Sequence, residues 1–393
     1  MNFYLEQYPY TRIFFGVGER KRIAEICSGL GEKCLVITSR GFARKLGILD
    51  QLKSSLTRDG VQVQVFEGIE PEPCDETSLT LAESIRSINP DFLIALGGGS
   101  VIDAVKCAEA LATLEVNLKE IYGSDKVSAL LAQKGKSLRP LIALPSTSGT
   151  GSEVTKYAVL YDGDEKMKVL VLDYSLCPKI AIVDPELSFS APLDLTIATG
   201  LDALTHLIES YLNHQSAPEW IARMTEEGIC LILENLPRLK KSLSDFEARE
   251  KMSLASTYGG IAITYKGTGL PHGFSYAFKE IIPHGSAVAL TLIPSWRYYL
   301  PAVYDKTRKL APLFGVEPAL ALDEMAEAIF NKLKGFFQEL GHPVSLKDIP
   351  QVSEQVLQEG VKAVMKNPSK LANAPRPVPL EQAESILNRI LRD

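Results

Sequence analysis

Between residues 33 and 142, apolar runs of strand length alternate with stretches long enough for helices, and this rhythm narrows the fold more than any other feature. The runs fall at 34–38, 61–66, 92–96 and 141–144, and a further one follows at 180–183. Strands that are apolar along their whole length must be covered on both faces, and helix-length spacers supply the crossovers a parallel sheet needs. After Asp184-Pro185 the β-branched runs largely stop. Segments 201–212, 220–236, 249–265 and 323–340 carry apolar residues at three- and four-residue spacing, as helices with a core-facing stripe do. The expected fold class is α/β, with an N-terminal parallel-sheet domain at 1–184 followed by an all-helical C-terminal domain at 185–393. A chain of 393 residues exceeds what one core usually supports, in agreement with two domains.

Gly97-Gly98-Gly99-Ser100 follows the run at 92–96 and opens a helical stretch at 101–114, so its amides point from a helix N-terminus past the end of the sheet. Such a place favours a pyrophosphate, although three glycines also make a plain tight turn. The loop at 145–153, PSTSGTGSE, also follows a strand and is rich in hydroxyls and glycines. In a parallel sheet both loops leave the same edge. The pair is expected to grip one dinucleotide, with Thr147 and Thr150 donating to its oxygens.

A second constellation lies in the helical half. Asp202 and His206 are four residues apart and share a helix face. His272 and His284 each precede a glycine, where a bend would aim an imidazole inward without a side chain crowding the next position. One oxygen and three nitrogens suit iron(II) or zinc, while the Asp202/His206 pair alone reads equally as helix-face electrostatics worth a few tenths of a kcal/mol. His214 and His342 lie outside these motifs and are expected to be structural or superficial. Glu153 and Glu209 are expected to cap or pair rather than to do chemistry.

Charge and composition exclude several classes. The net charge is −6 and no basic block appears, which argues against nucleic-acid binding. No segment has the length and apolarity of a membrane span or a signal peptide, so a cytoplasmic location is expected. Cys27, Cys34, Cys74, Cys107, Cys177 and Cys230 are scattered, without a CxxC pair, and read as reduced thiols.

Residues 97–106 read GGGSxxDxxK, and with PSTSGTGSE, the segment ATGLDALTHLIESY at 198–211 and the two His-Gly pairs they resemble the iron-containing, or group III, alcohol dehydrogenase family. The resemblance runs nearly end to end, from Phe14-Phe15-Gly16 through Pro71-Glu72-Pro73 and the VDPEL at 183–187 to Asn373-Ala374-Pro375-Arg376-Pro377. It implies a dehydroquinate synthase-like fold in which an N-terminal dinucleotide-binding domain is followed by a helical metal-binding and catalytic domain. The implied metal ligands are Asp202, His206, His272 and His284. The implied nucleotide positions are Gly97, Gly98, Gly99, Ser100, Asp103, Thr147, Thr150 and Lys168, the last near the ribose.

The implied activity is that of a metal-dependent NAD(P) alcohol dehydrogenase or aldehyde reductase, in which hydride passes between a primary alcohol or its aldehyde and the nicotinamide. Iron is the expected metal, and zinc accepts the same donors. Ser39 stands where NAD-preferring relatives often have aspartate, and Arg40 beside it suits a 2′-phosphate, so the expectation leans to NADP. Glu72, where the family commonly has asparagine, points the other way. Tyr276 replaces a histidine thought to relay the alcohol proton, and a phenol is a poorer relay at neutral pH. The spacing from His272 to His284 is shorter than in many relatives, and Phe274, Tyr276 and Phe278 are candidates for the substrate pocket. A small alcohol or aldehyde is the expected partner, in a homodimer or larger homo-oligomer. Alternatives of the same fold are a glycerol dehydrogenase- or dehydroquinate synthase-like enzyme, a metal-free maleylacetate reductase-like enzyme and a nucleotide-binding sensor.

Overall fold

A computed structural model describes residues 3–70, 74–163 and 167–392, with Met167 described by its backbone alone. They form two compact units, Met1–Ala191 and Pro192–Asp393. Asp184, where the composition changes, lies inside the first.

Among the described residues, the first unit has nine strands: β1 Arg12–Phe15, β2 Lys33–Ser39, β3 Gln62–Ile69, β4 Phe92–Gly97, β5 Gly123–Ser124, β6 Leu141–Pro145, β7 Tyr157–Asp162, β8 Met167–Leu172 and β9 Ile180–Val183. Six of them form a parallel sheet in the order β1-β9-β6-β4-β2-β3. The five apolar runs of the sequence became β2, β3, β4, β6 and β9. Alternation along β2 explains why both faces are covered. Leu35 and Ile37 join one core with Leu81 and Ile85 of helix α2 (Asp75–Ile88) and Ile102 and Val105 of helix α3 (Gly99–Leu114). Cys34 and Val36 join the other with Ile23 and, from helix α1 (Ile48–Arg58), Leu49, Leu52 and Leu56. A smaller sheet, β5-β8-β7, was not expected.

Connectivity places a reversal in the larger sheet. From β2 the chain goes outward to β3, whereas from β4 it goes to β6 on the other side. The carboxyl ends of β2 and β4 therefore flank the switch point, where open α/β sheets take ligands.

Among the described residues, the second unit has helices and no strand. Its long members are α4 Leu193–Leu212, α5 Glu219–Lys241 and α6 Phe246–Lys266, followed by short α7 Leu270–Ser275 and then α8 His284–Leu310, α9 Leu322–Leu340, α10 Glu354–Met365 and α11 Ala383–Arg392. From Gly200 to Leu212, α4 is buried on all sides. Close approach by its neighbours requires glycine: a Cβ at Gly228 of α5 would stand 2.9 Å from Leu207, and one at Gly285 of α8 would stand 1.8 Å from the Ala198 carbonyl oxygen. Asp202, His206 and Glu209 thus sit in an interior where every polar group needs a partner.

Candidate metal centre and nucleotide loops

Asp202 and His206 lie one turn apart on α4, His272 sits on α7 behind Pro271, and His284 is the first residue of α8. The Nε2 atoms of His206, His272 and His284 stand 3.7, 3.5 and 3.6 Å from Oδ1 of Asp202. These distances are too long for good hydrogen bonds. They match the roughly 3.4 Å separating donors placed tetrahedrally about 2.1 Å from one ion. Donor atoms of Asp202, His206 and His272 all lie within 4.8 Å of one another. Asp202 Oδ1 and His272 Nε2 are buried and have no hydrogen-bond partner among the described residues, which is what donors reserved for a cation look like. Burial alone would raise the Asp202 carboxyl, but His206, His284 and His272 outweigh it and hold it well below the usual range. The His284 side chain is the most open of the three imidazoles, at 30% exposure, so approach is from its side.

The second ring nitrogens of His272 and His284 are engaged. Nδ1 of His272 bonds Glu209, whose second oxygen accepts from the Gly269 amide at 2.7 Å. Ser275 donates to the His272 carbonyl at 2.7 Å, so its oxygen is an acceptor for Nδ1 of His284 at 3.2 Å. With Nδ1 protonated in both rings, Nε2 is the lone-pair nitrogen facing Asp202. Glu209 therefore does more than pair on a helix face. It lies three residues after His206 on the same helix, and that spacing was the signal available in the sequence.

Neither Gly273 nor Gly285 has a positive φ, so the expected bend is absent. Their role is space: a Cβ at Gly273 would meet Val364 at 2.8 Å, and at Gly285 it would strike Ala198. Phe274 and Phe278 are fully buried in the core, which corrects their reading as pocket residues, while Tyr276 keeps some exposed surface. Burial, and then Glu209, push the Tyr276 phenol above its ordinary value, making it a still poorer relay. His214 is exposed, and His342 bonds the Pro343 carbonyl and packs against Phe337.

In the first unit the two expected loops are neighbours. Gly97 pairs with Pro145 across β4 and β6, and the Ser146 amide donates to the Gly97 carbonyl at 3.0 Å. A Cβ at Gly98 would meet Thr147 at 3.2 Å, and one at Gly99 would meet Thr150 at 2.7 Å. Ser100 lies in the first turn of α3. Asp103 is buried and accepts from the Val159 amide at 3.0 Å. Lys106, fully buried one turn later, donates to the carbonyls of Ser152, Thr155 and Tyr157, each at 2.8 Å. Lys106 thereby clamps the end of the hydroxyl loop to α3; burial disfavours its charge, and Asp103 first among the carboxylates, then Glu153, favours it. Ser39 ends β2, half-buried, with Arg40 exposed beside it. Lys168 stands on β8 opposite Tyr161, and Glu72 falls outside the described residues.

Comparison with known proteins bears on all of this. The profile described as "Iron-containing alcohol dehydrogenase" matches residues 10–185, and "Fe-containing alcohol dehydrogenase family, C-terminal" matches residues 196–391. The chain belongs to the iron-containing alcohol dehydrogenase family. It is 32% identical to a 1,3-propanediol dehydrogenase of Citrobacter freundii over 88% of this chain and 91% of that one. An NADPH-dependent butanol dehydrogenase of Clostridium saccharobutylicum is 30% identical over 86% of this chain and 84% of the relative. Among solved structures, an alcohol dehydrogenase from Oenococcus oeni superposes with a TM-score of 0.87 at 27% identity, covering 96% of this chain and 97% of that one. As a member of this family the chain is an oxidoreductase that interconverts alcohols and aldehydes with NAD(P). No described helix is long and apolar enough to cross a membrane.

Proposed function

We propose that Asp202, His206, His272 and His284 hold one divalent cation, iron(II) in the cell, for the interconversion of a small primary alcohol and its aldehyde. The observation that carries the reading is the ring of three Nε2 atoms at 3.5–3.7 Å around Asp202 Oδ1. One carboxylate and three imidazoles also suit zinc, whose raw affinity for such donors exceeds that of iron, so iron loading depends on what the cell supplies. When bound, the cation supplies Lewis acidity to the substrate oxygen and the nicotinamide supplies or takes up the hydride.

The protein's own residues do the rest. Asp202 stays ionised, Glu209 and Ser275 fix the tautomers of His272 and His284, and burial keeps water from the interior side. Tyr276 does not carry the alcohol proton, which leaves through water or ribose hydroxyls. We assign the dinucleotide to the carboxyl edge of the first unit's sheet, in the functional domain 1–184, and the metal to the domain 185–393. Gly97, Gly98, Gly99 and Ser100 offer amides to the pyrophosphate, Thr147 and Thr150 offer hydroxyls, and Lys168 serves the ribose. Asp103 serves the nucleotide by holding β7 against α3.

Coenzyme choice falls at the end of β2, and we assign NADP as the preferred form. Glu67, opposite Thr38 on β3, accepts from Nη2 of Arg44 at 2.6 Å and from its Nε at 3.2 Å. A carboxylate already engaged in this way repels a 2′-phosphate less, and Arg40 remains exposed next to Ser39. Arg40→Ala is expected to lower kcat/KM with NADPH on the order of tenfold while leaving NADH nearly unchanged, since one charge-assisted contact is worth about 1.5–3 kcal/mol. Equal losses with both coenzymes would refute the assignment. A homodimeric or larger cytoplasmic enzyme is the state we propose, with light scattering as its check.

The central test uses metal-reconstituted protein and a panel of aldehydes. His272→Ala should abolish turnover while NAD(P)H fluorescence still reports nucleotide binding. Unchanged turnover, or activity that survives exhaustive chelation, would end the proposal and favour a metal-free reductase.

A further inference from the structure

The motif at 373–377, singled out by its sequence, ends a segment that begins at Asn367 and has no part in the site described so far. Its side chains converge on the stretch that leads into His272. Lys370, 5% exposed, lies on the short helix Pro368–Ala372 and donates to the hydroxyl of Thr268. Asn373 donates to the Thr268 carbonyl at 3.0 Å and accepts from Gln215 at 2.5 Å. Farther on, Arg376 donates to the Tyr298 carbonyl at 3.1 Å, and Tyr298 donates to the Pro377 carbonyl at 2.8 Å, which fastens the segment to α8.

Thr268 is followed by Gly269 and Leu270, the entry to α7. The Gly269 amide donates to Glu209, and the Leu270 amide donates to the Tyr299 hydroxyl at 3.1 Å. On the far side of the imidazole, a Cβ at Gly273 would touch Lys370 at 3.4 Å. The terminal segment therefore touches the backbone on both sides of His272 without reaching the donor cluster. Charge adds a second link. Glu209 is 5% exposed and holds His272 by Nδ1, and a buried carboxylate needs compensating charge beyond its hydrogen bonds. Lys370 is a buried amine within reach of that charge: burial pushes it down to about 8, against the pull of Glu209.

We propose that Lys370 is a positioning residue for the metal centre, which ties the terminal segment to Thr268 and compensates Glu209, so that His272 presents Nε2 at the right place. The proposal rests on the metal-site reading above. Lys370 touches neither substrate nor the donor cluster, and acts through Glu209 and Thr268.

The test is Co2+ titration of the metal-depleted full chain, read by visible d–d absorption, for wild type, Lys370→Met, Glu209→Gln and the double variant. Lys370→Met is expected to weaken Co2+ binding on the order of 10- to 100-fold, the usual range for outer-shell partners, and to change the d–d spectrum, with nucleotide affinity unchanged. Because Lys370 acts through Glu209, the double variant should lose less than the product of the two single losses. Should Lys370→Met fail to fold, Thr268→Val removes the hydroxyl anchor and is read the same way, with a loss of at least fivefold expected. Wild-type affinity and spectrum in the variant, or losses that multiply in full, would overturn the proposal while leaving the metal site standing. A wild type that takes up no Co2+ would remove the metal reading itself and this inference with it.

Discussion

Gly285 shows how one residue fixes a site it does not line. It follows His284 at the start of α8, and a Cβ there would lie 1.8 Å from the Ala198 carbonyl oxygen and 3.1 Å from Cβ of Asp202. Both obstacles belong to α4, and one is backbone, so no rotamer change relieves the clash. Gly285→Ala is expected to cost more than about 4 kcal/mol, the range reserved for overpacking that cannot relax, and to abolish stoichiometric metal uptake. Urea unfolding and elemental analysis check both outcomes, and a loss under about 1 kcal/mol would mean that α8 shifts freely. The four candidate ligands were legible because histidine is rare here and its two glycine-flanked copies stand out. What the glycines do was not, since their purpose is the approach of a helix distant in sequence and not a local bend. The part Glu209 plays was hidden for the same reason: its spacing from His206 puts it on the same helix, but its partner His272 lies 63 residues away, and nothing local says that it will hold a ligand ring.

Elements were legible in proportion to their burial. The central strands β2, β4 and β6 each hold an unbroken apolar stretch and were readable, as were the helices with a broad apolar stripe. Strand β1, one exposed and three half-buried residues at the sheet edge, and the strands β5, β7 and β8 escaped because their side chains mix polar and apolar types as a covered surface ribbon does. Helix α4 illustrates what an element's end contributes. Lys306 of α8 donates to the carbonyls of Leu212 and Asn213, and Lys266 also reaches Asn213, so two cations meet the negative end of the helix that bears Asp202, His206 and Glu209. Burial first, then repulsion from Lys266 and Lys309, bring the Lys306 amine down to about 8. Its folded pKa is thus below the unfolded value of about 10.4, so the unfolded chain binds more protons between these values, and stability attributable to Lys306 rises as pH climbs through that window. Relative to Lys306→Met, wild type should gain stability between about pH 7.5 and about pH 10. Paired urea titrations at the two pH values read the difference, and a wild-type stability that stays constant or falls relative to the variant would contradict the argument.

At the scale of the whole molecule, the two proposed ligands fall on different units, and that division is itself testable. All four candidate metal donors lie between Pro192 and Asp393, and the glycine and hydroxyl loops lie between Met1 and Ala191. A ligand that binds only the folded form stabilises it by linkage, about 2.7 kcal/mol at a free concentration 100 times the dissociation constant. Amide exchange resolves where that stabilisation is felt, because opening is local and its free energy differs from element to element. Adding Co2+ to the metal-depleted chain should slow exchange along α4, α7 and the first turns of α8, and EDTA should reverse it. NADPH should instead slow exchange at 97–106 and 145–155, whether or not metal is present. If the cation protected the glycine loop and left α4 unaffected, the donors would have been placed in the wrong half of the chain. Protection of both sets by either ligand alone would instead show the units to be energetically coupled, so that filling one site raises affinity at the other by the same factor.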